Sequence, residues 1–408
     1  MNALPAIRPS ALLVSILGLL AAPGSTLAGD LDAEIGARLF KRAWVPAPTA
    51  TKADDGLGPH FDARSCAACH PGAGRASRRL ADDGEPREPG LVIRLDRHGA
   101  GDPVYGRQLQ TGAVAGVAAE ARPRLAALPA GEGMRWRVDP GALGYGPLSD
   151  ETRVSVRAAP ALHGLGLLAA VAEGEILTRA DPDDRDGDGI SGRAARIDGK
   201  LGRFGQKATG VAIVDQVAGA FSLDMGLSTP ARPAASGDCT ATQVDCLGAP
   251  SGSDAGGPEI DAEIVRLIGH FVATLPAPTP QSSSRREPGQ AGARLFAAIG
   301  CAACHAPALA GPAGQPVAAF TDLLLHDLGP GLADAAEGDA NAAEWRTAPL
   351  WGISSALKRG AGLLHDGRAR TVAEAIGWHD GEARRARTGF DGLTVTDRKA
   401  LIAFIERL

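Results

Sequence analysis

The sequence GARLF occurs twice in this 408-residue chain, at Gly36–Phe40 and Gly292–Phe296, and the sequence CAACH follows each copy, at Cys66–His70 and Cys301–His305. In the second copy the cysteine motif begins five residues after the phenylalanine. In the first copy a 21-residue insert separates the two elements. The repeat predicts two related units, each with a helix that leads toward a Cys-x-x-Cys-His loop.

Cys-x-x-Cys-His is the attachment motif of c-type haem, in which both cysteines bind the porphyrin and the histidine binds the iron. Cys66, Cys69, Cys301 and Cys304 are therefore predicted to hold two covalent haems, with His70 and His305 as the proximal iron ligands. The alternative is a zinc half-site, but zinc would need further cysteine pairs. Only two other cysteines remain in the chain.

A second pair of matching segments lies downstream. IGHFVATL (Ile268–Leu275) and LIAFIERL (Leu401–Leu408) share the apolar spacing of an amphipathic helix. A cytochrome c domain opens with a helix before its haem motif and closes with a helix that crosses the first. The sequence thus predicts a mainly α-helical protein with two cytochrome c-type domains, residues 29–278 and 287–408, joined by a Pro/Ser-rich linker at 279–286. The first domain would carry a large loop-rich insertion.

The N-terminus has the features of a secretory signal peptide over residues 1–28. It has one cation, Arg8, then an apolar run at 11–22 and the small residues of Thr26–Ala28 as a cleavage site. An uncleaved membrane anchor is the alternative, and no later stretch is apolar enough to span a bilayer. We therefore expect a periplasmic protein without a transmembrane span. The formal net charge of −5 argues against a nucleic-acid partner.

Cys239 and Cys246 are not part of either CAACH motif. An even remainder of cysteines in an exported protein predicts a local disulfide. A redox-active dithiol is the alternative, although the six intervening residues are unlike the tight Cys-x-x-Cys of disulfide exchangers.

Two polar stretches of the insertion are candidate sites. Asp184, Asp186 and Asp188 alternate with glycines, as in a calcium-binding loop, but Ala195 stands where the closing glutamate of an EF-hand would be. The sequence is compatible both with a calcium site and with a solvated acidic turn that binds no ion. The stretch Pro103–Ala121 contains Gln108, Gln110 and Glu120, and its spacing alone favours an amphipathic helix with exposed polar residues.

Several longer motifs resemble the di-haem oxidoreductase (DHOR) family, whose members are often labelled thiol oxidoreductases and which is related to di-haem cytochrome c peroxidases and MauG. In chain order they are DPVYGRQLQ (102–110), YGPLSDETRVSVRAAP (145–160), DGDGISGR (186–193), GRFGQKATG (202–210), DLLLHDLGPGLAD (322–334), EWRTAPLWGI (344–353) and LLHDGRARTVAEAIGWHDGEA (363–383).

The resemblance implies roles for particular residues. Gln110 and Glu120 have the spacing of the peroxidases' distal Gln and Glu, although Val114 replaces the intervening proline. His365-Asp366-Gly367 follows His305 by the same 60 residues as the peroxidase element, and His379 lies 14 residues further on. The peroxidases have a methionine ligand there, so the second haem would be bis-histidine, with a lower potential. The alternative is that His379 is a surface histidine of a helix.

The resemblance also implies the activity. A cytochrome c peroxidase or MauG-type enzyme would take electrons from a small periplasmic donor, a cytochrome c or a cupredoxin, and reduce an oxidant at the first haem. The peroxidases' distal histidine has no clear counterpart, which leaves that haem open or weakly ligated. The alternative is a di-haem electron-transfer protein without catalysis. No cysteine remains free to oxidise a thiol.

Overall fold

The computed structural model describes residues 24–130, 133–253, 257–279 and 287–408. The predicted signal peptide lies largely outside these residues, as does nearly all of the predicted linker, and both stay predictions. Among the described helices, none is both long and apolar enough to cross a membrane.

Helices are concentrated near the two cysteine motifs and at the C-terminus. The α-helices of the described residues are α1 (Gly24–Lys41), α2 (Cys66–Cys69), α3 (Leu165–Ala169), α4 (Glu173–Leu177), α5 (Ile213–Met225), α6 (Val244–Leu247), α7 (Ala262–Thr274), α8 (Glu287–Ala298), α9 (Ile353–Lys358), α10 (Val372–Gly377), α11 (Arg384–Asp391) and α12 (Val395–Ile405).

The strands are short and antiparallel, and most of the longer ones lie between the two motifs. They are β1 (His60–Phe61), β2 (Leu91–Asp96), β3 (Gln108–Leu109), β4 (Gly112–Ala113), β5 (Arg124–Ala130), β6 (Gly133–Asp139), β7 (Arg153–Ala158), β8 (Arg196–Ile197), β9 (Lys200–Leu201), β10 (Leu309–Ala310), β11 (Pro316–Val317), β12 (Leu325–Asp327) and β13 (Glu344–Arg346).

The expectation of a mainly α-helical fold is wrong, because helices account for only 31% of the structure and strands for 16%. The insertion is built on a three-stranded sheet, β3-β2-β7, and a β5-β6 hairpin. Ile93, Leu95 and Val156 of this sheet pack with Leu109 and Tyr105 in a core of their own. The many glycines of the insertion make tight turns between short strands, which composition alone does not distinguish from loops.

The GARLF helices cross the closing helices, so that α1 packs on α7 and α8 packs on α12. A Cβ atom on Gly36 would overlap the Leu267 carbonyl oxygen, and one on Gly292 would overlap the Ala400 carbonyl oxygen. Each repeated glycine is therefore the point of closest approach between two backbones, where no side chain fits.

The phenylalanine of each GARLF copy makes an equivalent contact. The Phe40 ring centre is 5.4 Å from that of Phe271, and the Phe296 ring centre is 5.6 Å from that of Phe404. The first pair is tilted and the second is edge-to-face, and aromatic pairs prefer such arrangements to face-to-face stacking. The sequence repeat thus corresponds to a repeated helix crossing. The division into two cytochrome c-type domains stays a prediction.

The segment after the second cysteine motif does not pack only with the C-terminal helices. Leu309, Val317 and Leu324 belong to the same buried cluster as Phe40 and Phe221, near the first motif. The C-terminal helices form a separate cluster around Phe296, Phe390, Leu401 and Phe404. The segment after the second motif therefore packs into the core near the first motif.

Candidate haem-binding sites

The first cysteine motif forms a single helical turn, α2. Ser65 caps this turn by accepting a hydrogen bond from the Ala68 backbone N–H at 3.2 Å, and the His70 N–H donates to the Cys66 carbonyl at 2.9 Å. The Cys66 and Cys69 thiols are not in a disulfide. Both sulfurs are therefore available for thioether bonds on one short turn.

The His70 ring is half-buried, and its Nδ1 lies 2.8 Å from the Pro160 carbonyl oxygen. Nδ1 must carry the proton in this contact, because a carbonyl only accepts. Burial lowers the pKa of His70, so the ring is neutral and Nε2 keeps its lone pair. A histidine held in this way by its second nitrogen is the usual form of an iron-binding imidazole.

The second motif repeats this arrangement. The left-handed Gly300, with φ of 98°, precedes a 3-10 turn at Cys301–Ala303, and the His305 N–H donates to the Cys301 carbonyl at 3.0 Å. Nδ1 of His305 lies 2.9 Å from the Phe320 carbonyl oxygen. Burial lowers the pKa of His305 to about 4. His305 is thus also neutral with a free Nε2 lone pair, and the residues at both motifs fit c-type haem.

His379 follows α10 and lies near His305. Its Nδ1 is 2.8 Å from the Ala375 carbonyl oxygen, and burial lowers its pKa. The His379 ring also contributes to the low pKa of His305, which places the two rings in electrostatic range of each other. The half-buried ring therefore has the tautomer of a metal ligand.

A third buried histidine, His326, contacts the second motif from the side. Its Nδ1 is 2.7 Å from Glu382 and 3.5 Å from the Cys304 sulfur, and its Nε2 is 2.8 Å from Asp322. Burial alone would lower the pKa of His326, but the hydrogen bond to Asp322, joined by those to Cys304 and Glu382, raises it well above the ordinary value. His326 is therefore protonated and hydrogen-bonded to the carboxylates of Asp322 and Glu382.

A pair of carboxylates borders the first motif. The Gln108 side-chain amide donates to Asp62 at 2.7 Å and to Asp224 at 2.9 Å. Burial, together with the charge of Asp224, raises the pKa of Asp62 to about 7. Burial and then the charges of these two carboxylates also raise the pKa of the Cys69 thiol, so the pair lies beside the attachment cysteines.

Gln110 and Glu120 lie in irregular segments rather than in the expected amphipathic helix, because the short strands β3 and β4 and the turns beside them occupy this stretch. Both side chains are buried, not exposed. The Gln110 backbone N–H donates to Glu120 at 2.6 Å, and the Gln110 amide donates to the Leu223 carbonyl at 2.6 Å. The two residues therefore meet, as the family spacing implies. Glu120 also accepts a hydrogen bond from Gln243.

The carboxylates of Asp184, Asp186 and Asp188 lie within 4.8 Å of one another and are exposed. This loop is linked to the second motif only through intermediate residues. The Ser191 hydroxyl and N–H donate to Glu382 at 2.6 and 3.1 Å, and Glu382 bonds His326, which contacts Cys304. Cys239 and Cys246 lie at disulfide-bonding distance, as expected.

Sequence reasoning missed Asp62, Asp224 and Glu382. Asp62 and Asp224 are 162 positions apart and form no motif. Glu382 lies within a quoted motif, but its partners His326 and Ser191 are distant in the sequence. The only signal for Asp62 was its position four residues before Cys66.

Comparison with known proteins agrees with the motifs. The family model described as "Di-haem oxidoreductase, putative peroxidase" matches residues 143–408, well over half of the chain. No curated protein sequence matches this chain. A solved structure of Kuenenia stuttgartiensis hydrazine synthase, pressurised with xenon, is 14% identical over 100% of both chains, with a TM-score of 0.36, too low to support an argument. On this family match, the chain belongs to the di-haem oxidoreductase family.

Proposed function

We propose that the protein is a periplasmic di-haem c-type oxidoreductase that moves electrons between two covalent haems and reduces a peroxide-class oxidant at the N-terminal one. The observation that carries this proposal is the repeated geometry at the two motifs. In each, two thiols outside any disulfide precede a histidine whose Nδ1 is bound to a backbone carbonyl. Haem iron would supply the one-electron chemistry.

The chain's residues would have distinct roles. His70 and His305 would bind iron from the proximal side, and the Pro160 and Phe320 carbonyls would fix their rings. His379 would be the second ligand of the C-terminal haem, supported by its neutral tautomer and its proximity to His305. Neutral nitrogen ligands on both sides would hold that haem at a low potential.

Proton supply at the N-terminal site would come from the buried polar residues beside the first motif. Gln110 and Glu120 are the pair that the family relationship implies, and they meet in a buried network. Asp62 is a further candidate, because a carboxyl with a pKa of about 7 can both hold and release a proton near neutral pH. Gln108 would hold Asp62 in place.

The donor would be a small periplasmic cytochrome c or cupredoxin. The predicted export signal and the Cys239–Cys246 pair support a periplasmic location, where disulfides persist.

We further propose that Asp184, Asp186 and Asp188 bind calcium, because their carboxylate oxygens lie close together. Isothermal titration with calcium tests this, and an Asp186→Asn variant that gives the same binding heat would contradict it.

The test combines composition and turnover. The protein purified from the periplasm should carry two haems that survive denaturing electrophoresis, and it should consume hydrogen peroxide with a reduced donor. Glu120→Gln should lose about 10²-fold or more in turnover, and full turnover in that variant would remove its acid/base role. Two covalent haems without peroxide consumption would favour the second candidate, a non-catalytic electron-transfer cytochrome, which bis-histidine ligation by His305 and His379 would also suit.

A further inference from the structure

A compact group of donor atoms surrounds the Cys239–Cys246 pair. His60 Nδ1 is 3.4 Å from the Cys239 sulfur and 3.3 Å from Glu120 Oε1. One atom from each of His60, Cys239 and Cys246 lies within 4.8 Å of the others. His60, Glu120 and Cys246 are buried, whereas Cys239 is half-buried.

Nδ1 of the His60 ring faces three groups: the Glu120 carboxylate, the Cys239 sulfur and, at 3.5 Å, the Gln243 side-chain amide. Nε2 lies 2.8 Å from the Ala118 carbonyl, so Nε2 carries a proton and donates it. In the neutral ring the Nδ1 lone pair would then face the Glu120 carboxylate and the Cys239 sulfur, which are both electron-rich. With the disulfide closed, a proton on Nδ1 resolves this conflict, and the net effect of Glu120 against burial is a raised pKa of His60.

Reduction of the disulfide changes the balance of charge. Two thiols would then join the Glu120 carboxylate around one buried imidazole nitrogen, and a cation that displaces their protons would offset the charge of two buried thiolates and a carboxylate. Cysteine sulfur, histidine nitrogen and carboxylate oxygen are all ligands that tetrahedral zinc accepts in proteins.

We propose that the reduced form of the protein binds one Zn²⁺ through Cys239, Cys246, His60 Nδ1 and Glu120 Oε1, and that disulfide formation releases it. Zinc–ligand bonds of about 2.3 Å to sulfur and 2.0–2.1 Å to nitrogen or oxygen give tetrahedral edges of about 3.5 Å for S–N and about 3.3 Å for N–O. The structure has 3.4 and 3.3 Å for these two edges. The two sulfurs must separate to about 3.8 Å, and the Glu120 oxygen, which lies outside the group of atoms within 4.8 Å of one another, must move toward them.

The redox step needs a dithiol as the two-electron reductant. The dithiol is oxidised to its own disulfide, the Cys239–Cys246 bond breaks, and two thiols form. Zinc binding then displaces the two thiol protons and the proton on Nδ1. In reverse, a disulfide oxidant takes two electrons from the thiolates and the metal leaves. Cys239 is the more exposed sulfur and is the point of attack.

The test uses the haem-loaded protein. One sample is reduced anaerobically with a phosphine and another is left oxidised. Both receive Zn²⁺, are desalted, and are analysed for zinc and iron by mass spectrometry. The reduced protein should hold about one zinc more per two irons than the oxidised protein. His60→Asn and the Cys239→Ser/Cys246→Ser double variant should remove this difference, whereas His98→Asn, at an exposed histidine, should keep it.

A measurement without variants guards against misfolding. Zinc X-ray absorption of the reduced wild-type protein should show two sulfur neighbours at about 2.3 Å. Equal zinc in oxidised and reduced protein, or a shell of nitrogen and oxygen only, would overturn the proposal in favour of a purely structural disulfide. The zinc count requires no turnover, so its failure is separate from failure of the oxidoreductase function.

Discussion

Asp62 has a carboxyl with a raised pKa beside the first cysteine motif. Its carboxyl shares the Gln108 amide with Asp224, and burial and the charge of Asp224 raise its pKa to about 7. In the unfolded chain the same group titrates near 4. Between these values the folded protein binds more protons than the unfolded chain, so Asp62 makes the fold less stable as the pH rises.

Asp62→Asn should therefore stabilise the protein at pH 8, where the parent carboxylate is charged, by about 1–2 kcal/mol after allowing for partial exposure. Near pH 4 the carboxyl is protonated in the folded protein, and the variant should unfold at nearly the parent temperature. Thermal unfolding from pH 4 to pH 8 measures this. Asp82→Asn, at an exposed aspartate, is the control and should show no such trend. A pH-independent difference for Asp62→Asn would contradict the assigned pKa.

His379 offers a second test at this scale. His379→Met would replace an imidazole ligand by a thioether, which raises the potential of a c-type haem. A redox titration should show one haem moving upward, within the roughly 0.8 V range that axial ligands cover, while the other stays in place. His163→Met, at a histidine bonded to the Gly72 carbonyl, should move neither. Unchanged potentials in His379→Met would mean that His379 is not a ligand.

At the scale of elements, the two helix crossings depend on glycine. Gly36 and Gly292 leave no room for a methyl group against the α7 and α12 backbones. Gly36→Ala and Gly292→Ala should each cost about 1–3 kcal/mol of unfolding free energy, the usual effect of overpacking. Chemical denaturation measures the loss.

A third glycine provides the matched control. Gly219 lies in α5, and a Cβ there meets no atom within 4 Å. Gly219→Ala should stabilise the protein by about 0.5–1 kcal/mol, because alanine is the better helix former. Destabilisation of all three variants to the same degree would argue against the close approach at the crossings.

Apolar periodicity in the sequence predicts the helices near the cysteine motifs correctly, but it does not predict the strands and turns of the insertion. The helix before Cys301 and the closing helices are confirmed in α8, α7 and α12. The spacing of polar residues around Gln110 predicts a helix. The glycines of this stretch take positive φ, as at Gly106 and Gly116, and break it into short strands and turns. Local spacing does not reveal strand partners, which lie far along the chain.

At the scale of the molecule, buried ion pairs join the insertion to the C-terminal half. Arg157 of β7 bonds Asp334 at 2.8 Å and also pairs with Glu337, and all three groups are largely shielded from water. Arg157→Met should lower the unfolding free energy by about 3–5 kcal/mol, because it leaves the buried Asp334 carboxylate without its cation, whereas Glu337 keeps Arg94 at 3.5 Å.

The exposed pair Arg97–Glu151 is the control for this prediction. Arg97→Met should cost under about 1 kcal/mol. Equal losses in Arg97→Met and Arg157→Met would mean that the buried pair does not hold the two halves together. No sequence pattern indicated the Arg157 pairs, because their partners are about 180 positions away and only the fold brings them together.

The same limit applies to the candidate sites. The attachment cysteines and proximal histidines could be read from a five-residue motif, since their chemistry requires that spacing. The groups that would set proton supply and charge, Asp62, Asp224 and His326 among them, come from separate segments that tertiary packing assembles.

The central claim is an open N-terminal iron site beside a bis-histidine C-terminal haem. Electron paramagnetic resonance of the ferric protein, repeated after half-reduction, tests it most directly. We predict a high-spin signal from one haem together with a low-spin bis-histidine signal from the other. Two low-spin signals that persist after half-reduction would contradict the claim and leave a di-haem electron carrier.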